Sequence, residues 1–584
     1  MPTITIDGKV CDFEQGQTIL QIANANGIEI PQYCYHDGLS IVASCRICLA
    51  EVWAPNPRND NKLEPIPKLL PTCQTPAGEG QVVYTDSPKA IQNQKAVMEY
   101  LLINHPLDCP VCDQAGECWL QDYSYDYGRG VSRFEETKVK QPKKDLGPHV
   151  YLYADRCIMC TRCVRFCREV TGTAELIVEG RGNSEQIDIF PGEALDNELS
   201  ANVIDLCPVG ALLDKDFLFT QRVWFLKSTP SIDGITAQGD NILIEHNRGE
   251  VYRIKPRDCA EVNKWWISDE VRYGYKFVHS EDRMTTPIDR AHGRRTEVGW
   301  GRAYRELLRH LTGDDRFGGD GQRKHIAILV SPMLSTEDAY LLGTMARAID
   351  PDAVLAVGPV PRAGEDKTFP GGYTIRAEKA PNARGVRRAL EAIAGEGNVP
   401  GFDDIAGRIA STEFQGLIVT GNYPSEWVTE EFASACEGKS LVLIDTLPNR
   451  LTEQCEVFLP GATWVEKAGS FVNADERIQA FEQAIPPIGQ SRSEAQIALD
   501  ILAILSGEAE AGDSPKTIIE YPDAMPGQVP TAMETAAPIG ERYNAAMVRQ
   551  RMASEHASLK PFIDEIHTPT VVVRQEADME MVEL

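Results

Sequence analysis

Cysteines gather in the first third of this chain, at spacings that are typical of metal sites. Thirteen of the sixteen cysteines lie within residues 1–207 of a chain of 584 residues. Sixteen are too few for a disulfide scaffold, and clustered cysteines in a reducing compartment are more often metal ligands than bridges. Because thiolates bind zinc and iron–sulfur clusters, the chemistry that the spacing predicts is metal or cluster binding.

The first group is Cys34, Cys45, Cys48 and Cys73, spaced C-x10-C-x2-C-x24-C. Plant-type ferredoxins hold a [2Fe–2S] cluster with C-x4-C-x2-C and a distant fourth cysteine. This chain keeps the C-x2-C pair and the distant ligand but lengthens the first gap. A four-cysteine zinc site would use the same ligands, so the residues favour iron–sulfur and leave zinc open.

The second group is His105, Cys109, Cys112 and Cys118, spaced H-x3-C-x2-C-x5-C. Three thiolates and one imidazole suit a Cys3His zinc site. They suit a [4Fe–4S] cube with histidine on one iron equally well. A neutral imidazole in place of a thiolate removes negative charge, which should raise the potential of such a cube.

The third group combines Cys157, Cys160, Cys163 and Cys167 with a remote Cys207-Pro208. The run C-x2-C-x2-C-x3-C with a remote Cys-Pro is the bacterial ferredoxin pattern. Since only one remote Cys-Pro exists, a second cube lacks ligands here. We predict a single cube on Cys157, Cys160, Cys163 and Cys207, with Cys167 a packed free thiol.

Three arginines, Arg156, Arg162 and Arg165, are interleaved with the third group. They could tune the adjacent cube electrostatically. The alternative is that they are ordinary surface cations.

A fourth constellation has the residue spacing of a cluster site but lacks the cysteines. Asp233, Thr236, Asp240 and Ser268 are spaced x2, x3 and x27. With cysteines at these points the spacing would resemble the cube-binding pattern of molybdopterin oxidoreductases. Hard oxygen ligands do not replace thiolates on iron–sulfur, so we expect no cluster there.

The elements that position these groups change in character along the chain. Alternation around Asp7-Gly8 predicts a hairpin, and Ser87-Pro88 predicts a helix start. Pro106 should end that helix near His105. From about residue 290, short β-branched runs between helical patterns predict an open, parallel α/β sheet. The expected domains are 1–85, 86–140, 147–220, 221–280, 281–507 and an extended or partly disordered tail, 508–584.

The overall charge and hydropathy exclude several partners. The formal net charge is −28, which repels nucleic acid and anionic lipid. No apolar run approaches the ~18 residues of a membrane span, and the first residues lack a secretory signal. The sequence contains no Walker A or G-x-G-x-x-G motif, so we do not expect this chain to bind a nucleotide. We therefore expect a chain on the cytosolic side, without direct membrane insertion.

Together, the order of the three groups and the stretches "CDQAGECWLQDYSYDYGRGVSRF" and "DRCIMCTRCVRFCREVTG" resemble a known family. It is the large iron–sulfur subunit of respiratory complex I, the 75 kDa subunit family of NADH-quinone oxidoreductase. The resemblance is dense over residues 1–280. It is looser over 290–507, where "LPGATWVEKAGSFVNADERIQ" resembles the degenerate molybdopterin-oxidoreductase domain of that family.

This resemblance implies an α+β front and an α/β second half. The front would combine a [2Fe–2S] ferredoxin-like β-grasp domain with [4Fe–4S] ferredoxin-like modules, before a degenerate molybdopterin-oxidoreductase-like domain. It implies iron rather than zinc at all three groups: one [2Fe–2S] and two [4Fe–4S] clusters, with no molybdopterin and no flavin on this chain.

The same resemblance implies an electron relay without a catalytic residue of its own. Electrons would come from a flavin-bearing, NADH-oxidising subunit with its [2Fe–2S] companion, and would leave towards ferredoxin-like and quinone-site subunits. The chain would sit peripherally on the cytoplasmic side of the inner or plasma membrane, held through the complex.

Three other functions stay open on the residues alone. A molybdenum or tungsten formate dehydrogenase would need a pterin site and usually a cysteine on the metal. An iron-only hydrogenase would need four further cysteines. Only Cys259, Cys436 and Cys455 follow Cys207, which disfavours both. The third alternative is a zinc-stapled assembly scaffold.

Overall fold

A computed structural model describes residues 1–291, 294–512, 516–520 and 532–569 of the chain. The chain divides into two compact units, at Leu226 and Lys227. Unit 1 comprises residues 1–226 with the short segment 368–373, and unit 2 comprises the remainder. Within the described residues, no helix is both long enough and apolar enough to cross a membrane.

Unit 1 contains eleven short strands and five helices in its described residues. The strands are β1 (Thr3–Ile6), β2 (Lys9–Asp12), β3 (Leu49–Asn56), β4 (Lys62–Pro65), β5 (Leu70–Pro71), β6 (Val82–Tyr84), β7 (Lys143–Asp145), β8 (Val150–Tyr153), β9 (Leu176–Glu179), β10 (Gln186–Ile189) and β11 (Leu212–Asp214). The helices are α1 (Ile19–Ala25), α2 (Pro88–Leu102), α3 (Trp119–Asp126), α4 (Arg162–Phe166) and α5 (Asn202–Leu206).

A mixed sheet of order β2-β1-β6-β3-β4, with β5 on β3, forms the front of unit 1. The predicted hairpin is confirmed: β1 and β2 pair antiparallel around Asp7-Gly8, both of which have positive φ. Strands β1 and β6 pair parallel. Helix α1 buries Ile19 and Leu20 against the sheet. This arrangement is a β-grasp.

Helix α2 begins and ends as its sequence predicts. The Ser87 side chain caps it by accepting a hydrogen bond from Ala90 N at 3.3 Å, and Pro88 occupies the first helical position. The helix ends at Leu102, three residues before His105. The cysteine-rich segment after it is therefore free to form a loop.

Unit 2 begins with a three-stranded antiparallel sheet and continues as an α/β domain. Its strands are β12 (Lys227–Ile232), β13 (Asn241–Asn247), β14 (Glu250–Pro256), β15 (Ile288–Ala291), β16 (Arg294–Glu297), β17 (Ile326–Val330), β18 (Val354–Val357), β19 (Lys367–Thr368, at the boundary with unit 1), β20 (Thr374–Ile375), β21 (Gly416–Thr420), β22 (Ser440–Asp445), β23 (Val457–Pro460), β24 (Gly469–Val472), β25 (Ile478–Phe481), β26 (Lys516–Glu520) and β27 (Ala532–Ala536). Its helices are α6 (Asp269–Tyr273), α7 (Trp300–Thr312), α8 (Thr336–Ile349), α9 (Ala383–Ala394), α10 (Phe402–Ile409), α11 (Glu430–Ala435), α12 (Glu494–Ser506), α13 (Ala545–Glu555) and α14 (Pro561–Asp564).

The main sheet of unit 2 has the order β16-β15-β23-β22-β21-β17-β18. Strands β18, β17, β21, β22 and β23 are parallel neighbours, as the β-branched runs predict. Alternate residues of β17 face opposite layers: Ile326 and Ile328 join one core, Ala327 and Leu329 the other. Helices therefore cover both faces of this sheet, which explains its continuous apolar strands.

The described part of the C-terminal segment differs from the expected extended tail. Residues 545–555 form α13, capped by the Asn544 side chain. Met552 and Phe562 are fully buried in the core that also contains α8. The segment thus completes one face of the α/β domain. The expectation for residues 513–515, 521–531 and 570–584 falls outside the described residues.

Candidate metal centres

The four cysteines of the first group come together as two pairs. Cys34 and Cys45 hydrogen-bond through their thiols, and so do Cys48 and Cys73. The Thr72 hydroxyl donates to Cys48 O at 2.9 Å, which joins the two ligand segments. Cys34, Cys48 and Cys73 are buried, and Cys45 is half-buried.

One thiol of each pair is poised as a thiolate. Hydrogen bonds from the Cys45 thiol and from the amides of Cys45 and Ser44 lower the pKa of Cys34 to about 5, against the effect of burial. The Cys73 thiol lowers the pKa of Cys48 to about 7 in the same way. The thiolate is the metal-binding form, so Cys34 and Cys48 are the readier ligands, while the same hydrogen bonds raise the pKa of Cys45 and of Cys73.

This pairing fits two metal positions better than one. A [2Fe–2S] cluster takes two protein ligands on each iron, whereas a structural zinc draws all four around one ion. The donor set therefore fits [2Fe–2S].

The second group occupies the loop between α2 and α3. Cys112 and Cys118 are buried, and Cys109 is exposed. Cys112 lies close enough to Cys118 to influence the ionisation of that thiol, and Cys109 influences Cys112 in the same way. A Cβ built on Gly210 would lie 2.2 Å from the Cys112 sulfur, so only glycine leaves room for this thiol.

His105 is half-buried, and its imidazole is neutral near pH 7. Burial, and then the nearby Arg156 guanidinium, lower its pKa to about 4. A neutral imidazole nitrogen is the form that ligates metal. Arg156 also acts on Cys112, which places both predicted ligands in the field of one cation.

Arg222 is a functional residue of this loop that no spacing revealed. Its guanidinium donates to Cys112 O at 2.8 Å, to Cys109 O at 3.4 Å and to Pro110 O. The Phe219 amide donates to Asp113 Oδ2 at 2.8 Å. A segment about a hundred residues downstream thus fixes the backbone of the ligand loop.

The four cysteines predicted for the third group line one apolar cavity. Cys157, Cys160, Cys163 and Cys207 face it beside residues such as Ile158 and Val209. The loop before α4 turns through left-handed residues, Met159 and Thr161, with φ of 52° and 59°. A compact, water-poor cradle of four thiols fits a cubane cluster.

Cys167 stands outside this cavity lining. Its thiol is fully buried and hydrogen-bonds to Glu175, and burial and the Glu175 charge raise its pKa. This environment favours a packed thiol, as the ligand assignment requires.

The three interleaved arginines are not surface cations. Arg156, Arg162 and Arg165 are 2%, 3% and 8% exposed. Arg156 forms an ion pair with Asp108 at 3.0 Å and lies 4.1 Å over the Tyr153 ring. The surface alternative is therefore wrong, and all three charges lie where solvent screens them little.

Three side chains of the fourth constellation, those of Asp233, Thr236 and Ser268, have local hydrogen-bond partners. Asp233 accepts from the Ile235 amide at 2.8 Å and from the Thr236 hydroxyl. Ser268 caps α6 by accepting from Val271 N at 3.2 Å. Asp240 is buried, and burial raises the pKa of Asp233 to about 6. Asp233, Thr236 and Ser268 thus serve as turn and cap residues in unit 2.

Five known domain families match successive parts of the chain. They are "2Fe-2S iron-sulfur cluster binding domain" (1–88), "NADH-ubiquinone oxidoreductase-G iron-sulfur binding region" (94–133), "NADH-quinone oxidoreductase subunit 3, ferredoxin-like domain" (147–213), "NADH-ubiquinone oxidoreductase NDSU1/NuoG-like, 4Fe-4S domain" (226–276) and "Molybdopterin oxidoreductase" (388–503). The expected fold class is confirmed, and the chain carries [2Fe–2S]- and [4Fe–4S]-binding domains.

Whole-protein comparisons find similar relatives. "NADH-ubiquinone oxidoreductase 75 kDa subunit" of Reclinomonas americana is 42% identical over 311 residues, 53% of this chain and 43% of the relative. "NADH-ubiquinone oxidoreductase 78 kDa subunit, mitochondrial" of Neurospora crassa is 44% identical over 306 residues, 52% of this chain and 40% of the relative. The chain spans less than half the length of these curated relatives. The resemblance drawn from the cysteine motifs is confirmed.

A solved structure titled "Crystal structure of NAD+-reducing [NiFe]-hydrogenase in the H2-reduced state" also matches. It is 29% identical with a TM-score of 0.33, covering 38% of this chain and 91% of that chain. A TM-score this low carries no argument about fold or activity.

Proposed function

We propose that this chain, a relative of the large iron–sulfur subunit of NADH-quinone oxidoreductase, is an electron-relay subunit in the peripheral arm of such a complex. It would carry electrons from an NADH- and flavin-binding subunit, with its [2Fe–2S] companion, towards ferredoxin-like and quinone-site subunits. One [2Fe–2S] and two [4Fe–4S] clusters would do so, on the twelve predicted ligands. The clusters, when bound, supply reversible one-electron transfer.

The observation that supports the proposal is the grouping of the predicted ligands within one unit of the fold. Two thiol pairs in the β-grasp front suit [2Fe–2S], and four thiols around one cavity suit a cube. All three groups lie in unit 1. Their location in one unit suits a relay, because electrons must pass from site to site within the protein.

The chain's own residues have positioning and shielding roles in this function. Buried apolar side chains around the third cavity keep water from the ligands. Arg222 and Thr72 hold ligand loops by hydrogen bonds to backbone carbonyls. Such groups set cluster potential by hydrogen bonding, burial and charge. No proton transfer or bond cleavage is assigned to the chain.

Anaerobic reduction of the full chain, reconstituted with iron and sulfide, tests the proposal. Dithionite should produce EPR signals of one [2Fe–2S] and two [4Fe–4S] clusters. NADH should produce none until the flavin-bearing partner subunit is added. Direct reduction by NADH without that partner would contradict the proposal.

Metal analysis of the same preparation separates the alternatives. Molybdenum or tungsten would favour a pterin enzyme, an alternative worth testing because residues 388–503 match the molybdopterin oxidoreductase family. Zinc with no visible absorption would favour a scaffold. Hydrogen evolution by the isolated chain would favour a hydrogenase. The proposed relay requires iron alone.

A further inference from the structure

Helix α4 bears two buried arginines between the ligands of the third group. Arg162 and Arg165 are 3% and 8% exposed. They lie on one short helix, Arg162–Phe166, which also carries the ligand Cys163. Because Arg keeps its proton in proteins, both side chains are permanent cations inside unit 1.

Arg165 connects the first group to the third. Its Nη2 donates to Cys34 O, and to Cys160 O at 3.3 Å. Its Nη1 donates to Ser40 O. The Glu169 carboxylate reinforces the link by accepting from Ser40 N at 2.8 Å. One guanidinium thus bonds to the backbone of a ligand from each of two sites.

Arg162 reaches the neighbours of ligands in all three groups. It donates to Leu206 O at 3.3 Å, next to Cys207, and to the carbonyl of Tyr35, next to Cys34. Its guanidinium lies 4.5 Å from the centre of the Trp119 ring, next to Cys118. The planar Arg fork allows these hydrogen bonds and the stacking together.

The charges of the two arginines need an anion. Their hydrogen-bond acceptors above are all neutral carbonyls, unlike Arg156, which has the Asp108 carboxylate. Among these bonds, the Glu169 carboxylate meets Arg165 only through Ser40, and a buried cation without a direct anionic partner is costly. Clusters ligated by thiolates carry net negative charge, so the bound groups themselves are the natural counter-ions.

We propose that Arg162 and Arg165 are positioning residues, a cationic clamp that holds the three ligand loops in fixed relation. The clamp also raises the potentials of the [2Fe–2S] cluster and the second cube, by stabilising their more negative reduced states. This inference rests on the proposed function. It adds a physical cause for the fixed relation of the ligand loops and for the relative potentials of the clusters in the relay.

Redox titration of the reconstituted full chain, followed by EPR, tests the clamp. R165Q should lower the midpoints of the [2Fe–2S] cluster and the second cube. We expect at least a tenfold change in the ratio of oxidised to reduced cluster at fixed potential, about 59 mV for one electron. The His105-ligated cube should change least, since Arg165 makes no contact with its loop among the hydrogen bonds described.

Two matched variants separate charge from structure. R168Q removes the same charge from an exposed position three residues further along, and solvent should screen it, so both midpoints should stay within a threefold ratio. R165K keeps the positive charge but lacks the planar guanidinium, so its midpoint potentials should return most of the way from the R165Q values to those of the wild type. Equal effects of R165Q and R168Q on both midpoints would overturn the clamp.

Failure of R165Q to load clusters is also informative. Loss of only the [2Fe–2S] and second-cube signals, with rescue by R165K, would support the clamp. Loss of all three signals without rescue by R165K would overturn it. If the wild-type chain itself lacks the three signals, the proposed function fails, and the variants are not needed to show it.

Discussion

At the scale of single residues, the choice between Cys207 and Cys167 is the sharpest point of the ligand assignment. Cys207 lines the cavity of the third group, whereas the Cys167 thiol hydrogen-bonds to Glu175. Cys207→Ala should abolish the EPR signal of the second cube, because one iron loses its ligand. Cys167→Ala, the matched control, should leave that signal nearly intact. The reverse pair of outcomes would refute the ligand set.

The imidazole ligand makes a second prediction at this scale. His105→Cys should keep a cube in the second site but lower its midpoint potential, because a thiolate adds negative charge. The midpoint of the other cube serves as an internal reference in the same titration. An unchanged potential would show that His105 is not a ligand.

Residue types and spacings predict the candidate ligands but not the groups that support them. The C-x2-C-x2-C-x3-C run has few uses other than a cluster, so its ligands follow from the sequence. The acceptors of Arg162, Arg165 and Arg222 are backbone carbonyls, which every residue possesses. Spacing therefore contains no trace of them, and only the fold shows which carbonyls converge.

At the scale of elements, α13 tests whether the C-terminal segment stabilises the α/β domain. Met552 is fully buried and Met547, on the same helix, is 57% exposed. Met552→Ala should lower the free energy of unfolding of unit 2 by about 2–5 kcal/mol. Met547→Ala should change it by less than about 0.5 kcal/mol. Urea unfolding followed by tryptophan fluorescence measures both, and equal effects would contradict the packing of α13.

The hairpin of β12 and β13 makes the stability of unit 2 depend on pH. The buried His246 ring meets Thr229 Oγ1 at 2.9 Å. Burial, and then Lys227, lower the pKa of His246 to about 4, against about 6.5 in an unfolded chain. Between these values the unfolded chain binds more protons. Stability from the neutral ring is therefore complete above about pH 6.5 and is lost as pH falls towards 4.

His246→Gln should flatten that dependence. The stability difference between the variant and the wild type should shrink by on the order of 1–2 kcal/mol between pH 7 and pH 5. Unfolding midpoints in urea across this range measure it. Parallel pH profiles for the two proteins would contradict the buried, neutral histidine.

The elements were predictable to different degrees for physical reasons. Strands β17, β21 and β22 are buried on both faces, so continuous apolar runs such as "GLIVT" identify them. Helix α1 has a capping box at Thr18. Helix α13 offers only Ala545, Val548 and Met552 as a buried face. So few apolar positions among polar ones do not predict a helix from the sequence. The stability of α13 depends instead on packing against a core that distant residues supply.

At the scale of the whole molecule, the two units divide the work that the proposed function needs. Unit 1 contains all twelve predicted ligands, while the fourth constellation in unit 2 has oxygen side chains with local hydrogen bonds. The proposed function accordingly places the three predicted clusters in unit 1. The order of these parts along the chain was visible in the motifs. The finer domain boundaries remain predictions.

Counting iron and acid-labile sulfide in the fully reconstituted chain tests the central claim most directly. Twelve ligands on three clusters predict about ten irons and ten sulfides per chain, two from [2Fe–2S] and eight from the two cubes. About fourteen irons would reveal a fourth cluster, despite the oxygen side chains at Asp233 and Ser268. Fewer than about ten, or zinc in place of iron, would contradict the three-cluster relay.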